Sequence, residues 1–285
     1  MTDTSSTAAG DSTSAARAPK AGRNLPVAIA VGLGLLAIVA ASLAFRPEFF
    51  VLLATVAVGA ALWELAQAFK RRELHLPLLP LLVGTVGILV SSYYSGPEAL
   101  LVSFMLTVAG AVVWRVIDGS GTAAVRDAAA ATFAAAYLPF MAGFVMLMLA
   151  APDGRVRVLI FILLAVANDV GGYVAGVLFG RHPLAPSVSP KKSWEGLAGS
   201  FVLATAVGVV GAVVGLGASP LVGVALGVLA PLTATIGDLA ESMIKRDLEL
   251  KDMGSLLPGH GGILDRLDSM LLTAPFVYVL LALAV

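Results

Sequence analysis

Long apolar runs constrain this chain more than any other feature. Stretches of roughly 18 or more apolar residues, long enough to cross a hydrocarbon core of about 30 Å as helices, recur about nine times. They fall at about 25–45, 49–69, 76–94, 99–117, 128–150, 158–179, 196–217, 221–243 and 267–285. All are rich in Ala, Val, Leu and Gly and none alternates with period two, so their backbone hydrogen bonds must be satisfied within helices rather than around a barrel. With 59% hydrophobic and 13% charged residues, the composition lies outside the range of soluble domains. The expected fold is an all-α polytopic integral membrane protein, with residues 24–285 as one transmembrane domain. Residues 1–23, rich in Ser, Thr, Ala and Gly with no apolar run, are expected to form a disordered tail. The run at 25–45 is longer than the apolar part of a signal peptide and reads as a retained anchor.

The connectors set the expected orientation. With the N-terminus inside, all but Arg46, Arg155 and Arg157 of the 18 lysines and arginines fall on one side, the asymmetry of a chain whose basic loops are cytoplasmic. The expected location is therefore the inner or plasma membrane, with membrane lipid as a partner and no nucleic acid. The chain has no cysteine, which excludes disulfides, thiolate metal sites and cysteine nucleophiles.

Two polar stretches do not belong to a generic membrane protein. The first runs from Ser242 to Asp268, where Lys245, Arg246, Lys251, His260 and Arg266 supply cationic donors and Asp252, Asp265 and Asp268, with Asp238 just upstream, supply hard oxygen ligands. Those are the two halves of a metal–phosphate site, and Gly259, Gly261 and Gly262 would let backbone N–H groups approach an anion. On the eighth expected helix Asp238, Glu241 or Ser242, and Lys245 share a face, as do Asp265, Asp268 and Ser269 at the start of the ninth. His260 suits a hydrogen bond within the turn or a phosphate contact equally well.

The second stretch begins with Asn168 and Asp169, near the middle of the sixth expected span. An aspartate there costs on the order of 3 kcal/mol on insertion scales and marks a functional cavity by default. It continues through Gly180 and Arg181 into Ser189, Pro190, Lys191, Lys192, Ser193, Trp194, Glu195 and Gly196. Gly172, Gly176 and Gly180 form a ladder suited to helix packing. Glu64, inside the second span, suits either the cavity wall or a helix contact. Lys70, Arg71 and Arg72 read as a topology anchor, and His75 and His182 have no partner pattern.

The run Ser242, Lys245, Arg246, four residues, Lys251, Asp252, Gly254, Leu257, Pro258, His260, Gly261, Gly262, Asp265, Arg266, Asp268 resembles the signature of the phosphatidate cytidylyltransferases, or CDP-diacylglycerol synthases. The 168–196 stretch is similar to the same family, departing from it at Val170 and Gly172, where a hydroxyl residue and alanine are common, and at Ser193, where threonine is. The resemblance implies transfer of a cytidylyl group from CTP to phosphatidate. The expected ion is Mg²⁺, with a second cation possible, held by Asp238 and Asp265 with Asp169 beside them. It implies catalytic roles for Asp265, Asp238, Lys245, Arg246, His260 and Arg266. Substrate contacts fall to Lys191, Lys192, Ser193, Ser242, Lys251, Asp252, Gly261, Gly262 and Asp268, and the expected assembly is a homodimer. Two other readings stay open: an ion-coupled transporter, which accounts for Asp169 but not for the basic cluster, and a CTP-dependent transferase acting on another lipid. A CDP-alcohol phosphotransferase would need an Asp-Gly-x-x-Ala-Arg run, and Asp118-Gly119 is followed by none.

Overall fold

The computed structural model describes residues 25–257 and 261–285, so the expected tail at 1–23 and Pro258, Gly259 and His260 lie outside the described residues. Among the described residues the fold is all-α apart from one small hairpin. Its helices are α1 (Leu25–Phe45), α2 (Pro47–Phe69), α3 (Leu78–Asp118), α4 (Thr122–Ala135), α5 (Met141–Ala150), α6 (Gly154–Phe179), α7 (Trp194–Val210), α8 (Pro220–Asp247) and α9 (Leu264–Ala284). Helices α4 and α5 run on through a π-turn at Ala136–Phe140, which contains Pro139, and together form one long apolar helix, Thr122–Ala150. Among the described residues, seven helices are long and apolar enough to cross a membrane, with a shorter apolar stretch at Ala30–Phe45. The chain is a multi-pass membrane protein.

The expected runs at 76–94 and 99–117 lie in the single 41-residue α3, which is a hairpin rather than one rod. Pro97 cannot donate a backbone hydrogen bond and disfavours helical geometry in the residue before it. Gly96 takes φ 84° and ψ −168° there, a conformation open to glycine. The two arms then fold back on each other: Ser91 Oγ lies 2.8 Å from Ser103 Oγ, and a Cβ on Gly84 would overlap Thr107.

Small residues hold the later helices together. Lipid supplies no hydrophobic drive between helices, so close backbone approach and dispersion do the work. Gly171 and Gly199 bring α6 against α7 with no room for a side-chain carbon, and Gly208 meets Gly223 and Gly227 meets the Thr205 backbone between α7 and α8. Gly237 lies against the backbone of Asp268 and Ser269 on α9. The expected glycine ladder does pack helices: Gly172 faces Ser200, and Gly176 faces Gly196. As a result the C-terminal ends of α6 and α8 and the N-terminal ends of α7 and α9 converge at one charged end of the bundle.

Candidate active site

Both polar stretches arrive at that end. Residues expected to form a loop instead make an antiparallel hairpin of β1 (Pro183–Ala185) and β2 (Ser189–Ser193). Glu195, in the first turn of α7, ties the hairpin base: its Oε2 accepts from the N–H groups of Arg181 and His182 at 3.1 and 3.3 Å, and Oε1 lies 2.6 Å from His182 Nδ1. Ser193 is the N-cap of α7, its Oγ accepting from Gly196 N–H at 3.1 Å. The cap explains why a hydroxyl residue ends the strand.

The hairpin separates two cavities. One, of about 350 Å³, lies among α6, α7, α8 and β2, and its walls include Asn168, Asp169, Tyr173, Lys192, Ser193, Ser200, Thr235 and Asp238. The other, of about 620 Å³, is lined by Ser242, Lys245, Arg246, Glu249 and Lys251 with the strand. Ser189 and Lys191 line both. Both adjacent lysines line the first cavity, and Lys191 also reaches the second. Lys192 forms an ion pair with Asp238, while Lys191 stands with the cations of the second cavity.

In the first cavity Asn168 Nδ2 donates to Asp169 Oδ1 at 3.1 Å, and Ser200 Oγ donates to the Asn168 carbonyl at 2.7 Å. Asn168 Oδ1 is buried with no hydrogen-bond partner. Ser242 Oγ donates to Asp238 Oδ1 at 3.3 Å, as the helical spacing predicts. Ser200 and Thr235 escaped the sequence reading, yet periodicity marks them: Thr235 stands three residues before Asp238, and Ser200 seven after Ser193.

Asp265 sits differently from Asp238. It is 7% exposed, its Oδ2 accepts from the N–H groups of Met253 and Gly262, both at 2.9 Å, and its Oδ1 accepts from Lys245 Nζ at 3.0 Å. Its carboxylate thus binds the turn to α8. Among the described residues no group of three or more Asp, Glu or His side chains is gathered as a ready metal site. Asp169 and Asp238 share a cavity, and Asp265 is not on its wall. Fully buried Glu241 lies 3.2 Å from Lys245 Nζ, off hydrogen-bonding geometry.

The turn itself closes with reciprocal backbone bonds between Leu257 and Gly261 at 2.9 and 3.2 Å, and Gly261 takes φ 86°. That left-handed conformation is why glycine stands there. Lys251, Asp252 and Arg266 are exposed, and Asp268 caps its neighbour Ser269 N–H at 2.6 Å. Helix α8 ends in a Schellman arrangement, with Leu250 N–H bonded to the Lys245 carbonyl at 2.8 Å and Glu249 left-handed at φ 55°. Arg246 Nε reaches the Val188 carbonyl at 3.4 Å, and Arg72 donates to the Asp247 carbonyl. Arg72 therefore has a structural partner beyond its expected role as an anchor.

The model of the cytidylyltransferase family matches residues 26–284. The chain belongs to that family. A protein of Mycobacterium leprae named phosphatidate cytidylyltransferase is 40% identical over 280 residues, covering 93% of this chain and 90% of the relative. The protein of that name from Mycobacterium bovis is 37% identical over 276 residues, at 93% and 90% coverage. The one from Bacillus subtilis is 42% identical over 118 residues, spanning 41% of this chain and 44% of its own.

Proposed function

We propose that this chain is a phosphatidate cytidylyltransferase, which joins CTP and phosphatidate to give CDP-diacylglycerol and pyrophosphate. The observation that carries the reading is the strand bearing Ser189 and Lys191, shared as a wall between a carboxylate-lined cavity and a cation-lined one. A reaction between two phosphate-bearing substrates calls for that juxtaposition. An oxygen of the lipid phosphate attacks the α-phosphorus of CTP. A new P–O bond forms, the bond from the α-phosphorus to the α,β-bridging oxygen breaks, and pyrophosphate departs with that oxygen. The attacking phosphate is already ionised, so no strong general base is needed and catalysis rests on positioning and charge neutralisation. Lys191, Lys245, Arg246 and Lys251 hold the triphosphate, and Ser193 and Ser200 offer hydroxyls beside the carboxylates.

Mg²⁺ fits the first cavity, because hard oxygen donors converge there and the Asn168 Oδ1 atom is buried without a partner. Asp238 and Asp169 would hold it. Asp265 lies off that cavity wall, with its oxygens committed to Lys245, Met253 and Gly262. When bound, the ion supplies Lewis-acid neutralisation of phosphate oxygens. The charge asymmetry of the connectors supports a cytoplasmic face for the site, where CTP is available, in the inner or plasma membrane. Phosphatidate then enters from the adjoining lipid leaflet, and the resemblance implies a homodimer.

The test is purified protein with labelled CTP, phosphatidate and Mg²⁺, scored for a lipid-soluble cytidine product with stoichiometric pyrophosphate. Release of inorganic phosphate, or product formation without phosphatidate, refutes the reading.

A further inference from the structure

Glu64 on α2 is 1% exposed, beside the fully buried Leu62 and Leu65. A carboxylate in such surroundings is costly unless something receives it. What receives it is the turn before α9: Glu64 Oε2 accepts from the Leu264 N–H at 3.0 Å, across 200 residues of sequence. Oε1 is buried with no partner. Helix α9 begins without a capping side chain at Ile263, so this carboxylate satisfies one of its free N–H groups and faces the positive end of its dipole.

The same carboxylate fills the space left by two glycines. A Cβ on Gly262 would lie 2.6 Å from Glu64 Oε2 and 2.9 Å from Asp265 Oδ2, and one on Gly254 would overlap the Glu64 carboxyl group. Gly262 N–H meanwhile donates to Asp265 Oδ2, and Asp265 Oδ1 accepts from Lys245. A continuous set of contacts thus runs from α2 through the turn to the cation on α8.

We propose that Glu64 is a positioning residue for cytidylyl transfer: it seats Gly254, Gly262 and Leu264, and through them Asp265 and Lys245, without touching substrate. This rests on the transferase reading above. The test compares Glu64→Ala, Glu64→Gln, Gly254→Ala and the double variant Glu64→Ala/Gly254→Ala, all as full-length purified protein. Glu64→Ala and Gly254→Ala should each lower kcat about 10- to 100-fold, the range of one charge-assisted hydrogen bond, with KM for CTP within about 3-fold. Glu64→Gln keeps the acceptor and should stay within about 5-fold of wild type. The double variant should be no worse than Glu64→Ala by more than about 3-fold, because the new methyl enters vacated space.

A second readout does not depend on turnover. Tryptic cleavage after the exposed Lys251 should be faster in Glu64→Ala and Gly254→Ala than in wild type and Glu64→Gln. Multiplying losses in the double variant, failure of Glu64→Gln to rescue, or unchanged cleavage in Glu64→Ala overturns the proposal. If wild-type protein does not turn over CTP with phosphatidate, the transferase reading falls, and the seating of the turn is judged on cleavage alone.

Discussion

Asp238 and Asp265 look equivalent in the sequence, each an aspartate beside basic residues on a helix end, and asparagine at either is expected to lower turnover by at least about 10²-fold. Their surroundings predict a second, unequal effect. The Lys192–Asp238 pair is partly open to solvent, with side-chain exposures of 27% and 33%. Such pairs contribute about 0–1 kcal/mol to stability. Asp238→Asn should therefore cost about 10²-fold or more in turnover, as for loss of a preorganised electrostatic group, with little change in melting temperature. In Asp265→Asn the amide NH₂ must face either Lys245 Nζ or the two N–H groups of Met253 and Gly262. Both orientations set donor against donor in a side chain only 3% exposed, at a cost of about 1.5–3 kcal/mol. Asp265→Asn should lose turnover and also melt lower by several degrees. Asp247→Asn is the control: its side chain is 72% exposed, and Arg72 Nε bonds its backbone carbonyl at 3.1 Å, so both readouts should stay near wild type. The assay is pyrophosphate release at saturating CTP and phosphatidate, beside thermal unfolding of the same detergent preparations. The reasoning fails if Asp238→Asn melts lower than Asp265→Asn, or if Asp238→Asn keeps its turnover at low Mg²⁺.

Pyrophosphate release should stop in EDTA and return with added Mg²⁺; undiminished release in the chelator removes the metal from the site. Gly227→Ala should destabilise the protein by about 1–3 kcal/mol, because its methyl would fall on the Thr205 backbone. Gly87→Ala, with nothing within 4 Å of the new carbon, should be neutral or slightly stabilising, and equal thermal shifts would contradict the packing argument. In this cysteine-free chain, cysteine at the exposed Ser187 or Ser255 should react with an impermeant thiol reagent only after the inner face is opened. Cysteine at the exposed Pro152 should react in intact cells, and the reverse pattern inverts the orientation.

Much of this architecture is local and was legible for that reason. Each expected run of apolar residues lies on a helix, because a segment of that length and composition in lipid must satisfy its own backbone hydrogen bonds. Even the α3 hairpin had its sign in Gly96-Pro97. The polar stretches announced a phosphate chemistry because cations and carboxylates interleave there at a cost that a plain connector would not carry. The β1–β2 hairpin was less visible, since its short strands depend on Glu195 receiving the N–H groups of Arg181 and His182 rather than on any alternation of their own.

Residue types and spacing determined that this chain crosses a membrane as helices, that it carries a two-part polar site, and which family it resembles. Only the tertiary structure decided what individual charges do. It put Lys191 between two cavities and paired Lys192 with Asp238 on the wall of one of them, gave Asp265 to the turn, and brought Glu64 to a glycine pair far along the chain. The physical reason is range: helix formation and membrane partitioning depend on neighbours within a few turns. The state of a buried carboxylate depends on whichever donors the packed helices deliver to it, and no local pattern encodes that delivery.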